Sequence, residues 1–172
     1  METKYSNTAY IIKRFHELRG ESPCKKELQK IAFLIEEKGV ALGYNHGLHF
    51  YGPYSSTLDA YTMSLSSDGV VKIDYSGYSH LLCVNEEDFD IHEDGLTKEQ
   101  LAQVDEVITR FEKHSASDLE LLTTAIYAYN HLDDKTIESV VAGVQKIKGS
   151  KYSETKIQTE LENLEYFGKT FV

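Results

Sequence analysis

Two histidines, a pair of serines and a short run of lysines are the residues of this chain whose types and spacing could do chemistry. His46 and His49, with two residues between them, stand in a glycine-flanked loop, and His92-Glu93 follows much later. An imidazole pair at that spacing can begin a metal site, but a tetrahedral site draws its remaining ligands from a rigid element, and the spacing supplies none. Asp88, Asp90, Glu93 and Asp94 alternate somewhat like a calcium loop, yet the glycine and terminal glutamate are missing from the required offsets. A solvated acidic linker is the simpler reading. Ser55 or Ser56, beside Tyr54, would be a nucleophile if His49 served as its base. Helix capping accounts for both serines, and no G-x-S-x-G, phosphate-loop or paired-carboxylate pattern accompanies them. Cys24 and Cys83 are too few for a disulfide framework and lack metal-type spacing, which suits a reducing compartment and small buried or capping roles. The expectation is a non-enzymatic protein with no cofactor and no metal.

Charge narrows the partners. The chain has 172 residues and a net charge of −10, with 41% hydrophobic and 27% charged residues, so a globular core is expected. Residues 1–84 carry 9 basic against 9 acidic side chains, and residues 85–172 carry 9 against 19. The second half therefore repels a phosphate backbone, and only a local basic face in the first half could bind one. Lys25, Lys26 and Lys30, with Lys72, are the candidates for such a face. The bland reading is a solvated helix surface. Residues 1–15 lack the apolar stretch of a signal peptide, and the longest aliphatic and aromatic run, 31–35, is far too short to span a bilayer, so a cytoplasmic protein is expected.

These residues need elements to position them. Residues 7–19 read as a first helix, and 24–38 as a second with Leu28, Ile31, Ala32 and Ile35 on one face. Residues 47–51 read as a short aromatic strand that Gly52-Pro53 cannot continue. A third helix capped by Ser55 or Ser56 turns Leu58, Tyr61, Thr62 and Leu65 inward and stops at Asp68-Gly69. Two strand-like runs, 70–75 and 79–84, form a hairpin of the kind called a wing. The acidic stretch 86–94 is the candidate boundary. Beyond it Thr97-Lys98-Glu99-Gln100 and Ser117-Asp118-Leu119-Glu120 have capping-box spacing, the latter opening a helix whose apolar residues nearly encircle it. Further helices follow from Asp133-Asp134 and from about Ser153. The expected fold is mostly α (α+β): a winged-helix-like half over 1–85 with a small β-hairpin, packed on a helical bundle over 95–172.

Leu28-Gln29-Lys30-Ile31 on a helix, followed about twenty residues later by Phe50-Tyr51-Gly52-Pro53-Tyr54-Ser55, resembles the YwgA-like and Panacea (antitoxin SocA-like) bacterial and phage proteins. Leu119-Glu120-Leu121-Leu122-Thr123-Thr124-Ala125-Ile126-Tyr127 is similar to a later helix of those families, and the resemblance spans roughly residues 8–167. It implies an association with antitoxins that neutralise partner toxins, or with adaptors that present a toxin to a protease. The Panacea pattern usually has Val after Gly-Pro where this chain has Tyr54-Ser55, which places it nearer the YwgA side.

The third helix is where a winged helix would read bases, but residues 57–68 hold no Lys or Arg and include Asp59 and Asp68. Sequence-specific DNA reading through it is not expected. Rings concentrate instead: Tyr44, His46, His49, Tyr51, Tyr54, Tyr61, Tyr75, Tyr78 and His80 lie in the first half. Amphipathic rings of this kind suit a protein-binding surface, and the bland reading is that alternate members fill a small core. The expected partner-binding residues are Tyr51, Tyr54, Tyr75, Tyr78 and His80, with a partner protein such as a cognate toxin and a second copy as the candidates. The competing expectation is a transcription regulator, dimeric, using Lys25, Lys26, Lys30 and Lys72 on DNA.

Overall fold

The computed structural model describes residues 3–85 and 95–172, so the acidic connector, with its calcium-loop-like carboxylates and His92-Glu93, lies outside the described residues. In chain order the elements are α1 (Thr3–Arg19), α2 (Lys25–Glu37), β1 (Gly47–His49), β2 (Gly52–Tyr54), α3 (Ser56–Ser67), β3 (Val71–Asp74), β4 (Leu81–Val84), α4 (Lys98–Arg110), α5 (Ala116–His131), α6 (Ile137–Lys148) and α7 (Glu154–Leu161), closed by a 3₁₀ turn over Glu162–Phe167. The protein is mostly α with two small two-stranded sheets. Among the described residues no helix is long and apolar enough to cross a membrane.

Two compact units are present, and no single cut in the chain separates them: residues 1–47 and 54–113 form the first, Leu48–Pro53 and His114–Val172 the second. The sequence reading grouped α4 with the C-terminal helices, yet α4 packs on α1 and α2. Its buried face is Val104, Val107 and Ile108, and Arg14 of α1 forks onto Asp105, Nε to Oδ1 at 2.9 Å and Nη2 to Oδ2 at 2.8 Å. Arg19, its side chain almost wholly buried, donates to the Ile108 carbonyl near the α4 C-terminus, an acceptor that an ending helix leaves open.

Within the first unit α2 begins at Cys24, whose sulfur accepts from the Glu27 N–H while Glu27 returns a bond to the Cys24 N–H. The Cys24 segment also bridges to β4: Leu82 N–H donates to the Pro23 carbonyl and Lys25 N–H to the His80 carbonyl. The β3–β4 hairpin, registered Val71 to Val84 and Asp74 to Leu81, thereby gains a third extended neighbour. Its strands are shorter than the sequence reading expected, because residues 75–80 form the connection. In α3 the buried residues are Leu58, Thr62 and Leu65, whereas Tyr61 sits at the edge of the core.

Gly52-Pro53 does not end the extended backbone but opens β2. The turn between β1 and β2 is Phe50-Tyr51 with negative φ at both, followed by Gly52 at φ +87. A turn followed by a left-handed glycine closes a short hairpin as a bulge, and Pro is tolerated in a strand whose N–H is not needed by the ladder.

In the second unit α5 is the central helix, with Leu119, Leu121, Leu122, Ala125 and Ile126 wholly buried against α6 and α7. Its capping box is Ser115 with Asp118, two residues earlier than expected from the Ser117–Glu120 spacing. That shift moves Glu120 out of the cap and into the core. α6 starts after the cap Thr136, with Asp134 accepting from Thr136 and Ser139 instead of opening the helix itself.

Candidate functional site

Each unit presents aromatic rings to solvent from a hairpin turn. In the first unit the connection between β3 and β4, Tyr75-Ser76-Gly77-Tyr78-Ser79-His80, is exposed at every residue. Tyr75 is 56% exposed, Tyr78 fully so, and the Tyr75 and His80 rings meet edge to face at 4.6 Å. Asp74 accepts from the Ser76 side chain and from the Ser76 N–H, and the two bonds, the side-chain one first, lower that carboxyl's pKa and fix the start of the loop. Tyr54 is only partly exposed. Burial first, and Asp59 second, push its phenol upward.

In the second unit the β1–β2 turn carries Phe50, 86% exposed, and Tyr51, 58% exposed, their rings 4.9 Å apart and nearly perpendicular. Leu48 on β1 is also exposed. Phe50 was not among the expected contact residues, although it is the most exposed ring of this turn. Its neighbourhood in sequence read as a strand, and only the turn geometry turns the side chain outward.

Polar groups tie this turn to the helices. Lys148, at the end of α6, donates to the Phe50 carbonyl at 2.8 Å and to Glu120 Oε1 at 2.5 Å. Lys151 reaches both oxygens of the same carboxylate, at 2.9 and 3.0 Å. The Glu120 side chain is fully buried, Lys148 is 4% exposed and Lys151 is 41% exposed. Burial opposes the Lys151 charge, but the Glu120 hydrogen bond and the charges of Tyr152 and Glu120 together outweigh it and raise the ammonium pKa. Two cations thus share one anion. Nothing in the sequence flagged this cluster, since Glu120 looked like a cap residue and its lysine partners lie 28 and 31 residues away.

The lysines considered for DNA do not share an exposed face. Lys30 is 2% exposed, Lys25 pairs with Asp59 at 3.4 Å and touches the Met63 sulfur, Lys26 is half-buried, and Lys72 stands exposed on β3. The burial of Lys30 corrects both its reading as part of a basic face and its reading as a solvated surface residue: α2 is covered on more than one side, burying Gln29 as well.

Ser55 and His46, weighed for catalysis and metal binding, are engaged structurally, whereas Ser56 is exposed at the start of α3. Ser55 is fully buried and caps α3: its hydroxyl donates to the Tyr44 carbonyl at 2.5 Å and accepts from Leu58 N–H at 3.0 Å. Gln29 brackets the same residue, taking its N–H and donating to its carbonyl. His46 packs edge to face on Phe33 and Tyr44, and its Nδ1 donates to Glu36 Oε2 at 3.0 Å while Tyr44 N–H donates to Oε1 at 2.9 Å. This explains a glutamate at the unfavourable end of α2: Glu36 holds the following loop, whose Asn45 takes φ +55. His49 is exposed on β1. Among the described residues no three His, Cys, Asp or Glu side chains gather as metal ligands do.

Neither a protein-family model nor a curated protein matches the chain.

Proposed function

We propose that the chain is a non-enzymatic protein-interaction module of the antitoxin or adaptor kind, docking a partner protein through the exposed aromatic residues of a hairpin turn. The observation that carries this reading is the outward placement of Phe50, Tyr51, Tyr75 and Tyr78, each more than half exposed. Large rings held in water by short turns are poor choices for stability and good anchors for an interface, where aromatic side chains dominate binding energy. The loop composition agrees: Tyr, Ser, Gly and His supply rigid contact area and adaptable hydrogen bonding with little net charge. The order α1, bridged segment at Cys24, α2, α3, β3, β4 supports a winged-helix reading of the first unit. On that scaffold α3 offers Asp59, with Asp68 at its C-cap, and no Lys or Arg, which favours a protein over DNA.

The test is affinity capture from the native host, with the product of the neighbouring reading frame as the first partner examined. Wild type, Phe50→Ala/Tyr51→Ala and Tyr75→Ala/Tyr78→Ala are compared. The expected result is loss of the wild-type partner from at least one double variant while both keep native circular dichroism. Retention of the same partner at the same yield by both variants rejects the aromatic docking reading.

A further inference from the structure

A buried ion pair is weak evidence for stability, because apolar side chains of the same volume serve a core as well or better. Glu120 nevertheless lies in α5 between the buried Leu119 and Leu121, wholly buried, with Lys148 almost as buried beside it. The ammonium reaches beyond the core to the main chain of the aromatic turn, at the Phe50 carbonyl. A lysine on a four-carbon stem is a mobile donor until a fixed acceptor restrains it, and Glu120 is that acceptor. The Phe50 ring, 86% exposed, gives the turn little apolar burial to settle on.

We propose that Glu120 and Lys148 are positioning residues of the docking turn: the carboxylate aims the ammonium, the ammonium holds the Phe50 carbonyl, and the Phe50 and Tyr51 rings stay presented before any partner arrives. The inference rests on the reading of that turn as a docking element. Its function is preorganisation, since a turn already in its bound shape loses less conformational freedom on association. Lys151 plays a separate part. Being partly exposed, it neutralises Glu120 from the solvent side and keeps the carboxylate paired when Lys148 is altered.

The experiment follows limited chymotrypsin digestion of the full chain by mass spectrometry, reading initial cleavage after Phe50 and Tyr51 beside thermal melting. Lys148→Met removes the ammonium and leaves Glu120 paired with Lys151. Cleavage at the turn is expected to rise about tenfold, the worth of one charge-assisted hydrogen bond, with other sites unchanged. Lys148→Arg, which still donates, is expected to stay slow. Glu120→Leu/Lys148→Met separates positioning from core filling: it is expected to melt no lower than Lys148→Met and to cleave as fast. Three results overturn the proposal: unchanged cleavage in Lys148→Met, slow cleavage restored by the apolar pair, or an equal rise at every site. The digestion needs no partner, so it fails or succeeds independently of docking. A freed turn in Lys148→Met alongside undiminished capture by both Phe50→Ala/Tyr51→Ala and Tyr75→Ala/Tyr78→Ala would sink the docking reading and leave the clamp standing.

Discussion

Glu120→Ala is the substitution that most sharply tests how charge is arranged in the second unit. The carboxylate serves two ammonium groups with different fates when it is removed. Lys151, 41% exposed, turns to water. Lys148, 4% exposed, keeps only the Phe50 carbonyl among the acceptors described for it and becomes an uncompensated buried cation. Breaking a buried pair from one side costs about 3–5 kcal/mol, and the loss of side-chain volume adds to it. The reciprocal change Lys151→Ala leaves Glu120 bound to Lys148 and removes a partly exposed pair, so it should cost no more than about 1 kcal/mol. Lys148→Met lies between them, at about 1.5–3 kcal/mol, because it loses the bonds to Phe50 and to Glu120 while Lys151 keeps the carboxylate paired and the methionine keeps most of the packing. Urea unfolding followed by far-ultraviolet circular dichroism gives the three values. The expected order of destabilisation is Glu120→Ala, then Lys148→Met, then Lys151→Ala. A Glu120→Ala loss below about 1 kcal/mol, or a Lys151→Ala loss equal to it, would refute the reasoning, because it would mean Lys148 does not depend on the carboxylate.

Asp118, hydrogen-bonded by Lys156 and by the Ser115 cap, is held at a pKa of about 2. Its folded value is depressed, so its stabilisation is complete above the ordinary carboxyl range and is lost as pH falls through about 2. Because the pair is partly exposed, the contribution is about 1 kcal/mol after solvent screening. Carboxyl NMR titration of Lys156→Met should show Asp118 moving back toward its usual pKa, and no movement would contradict the pairing. Burial pushes the Cys24 thiol up to about 11, opposed in part by the Glu27 N–H. At pH 8 its thiolate fraction is on the order of one in a thousand, so iodoacetamide should label Cys83 well before Cys24; peptide mapping with Cys24 labelled first would show the cap to be open.

Helix positions were legible because their causes are local. The stripe Leu28, Ile31, Ala32 and Ile35, the cap at Thr97 and the stop at Asp68 all act within a few residues of one another. What was not legible depended on partners far along the chain. Lys30 sits at a position that looks solvated on a single helix and is buried once the other elements of the first unit pack. Glu120 fits a capping box in sequence, yet Ser115 and Asp118 take the cap and leave it for Lys148, 28 residues on. The Tyr75 to His80 loop was readable as a hairpin connection, since a Ser-Gly-rich stretch between apolar alternations favours a turn. Phe50 escaped because periodicity assigns it to a strand, whereas the left-handed Gly52 places it at the apex.

The division of the chain has a consequence for its birth on the ribosome. Everything the first unit needs is present once residue 113 has emerged, whereas Leu48–Pro53 waits for helices that are made last. During that interval Phe50 and Tyr51 hang from an otherwise completed unit with no anchor, since Lys148 lies 98 residues downstream of Phe50. Nascent chains with exposed rings are open to mistaken association, so chaperone demand should peak late in synthesis. The same threading means that scissors applied at residues 86–94 would strip α4 from the helices it covers, and no pair of contiguous fragments reproduces the two units.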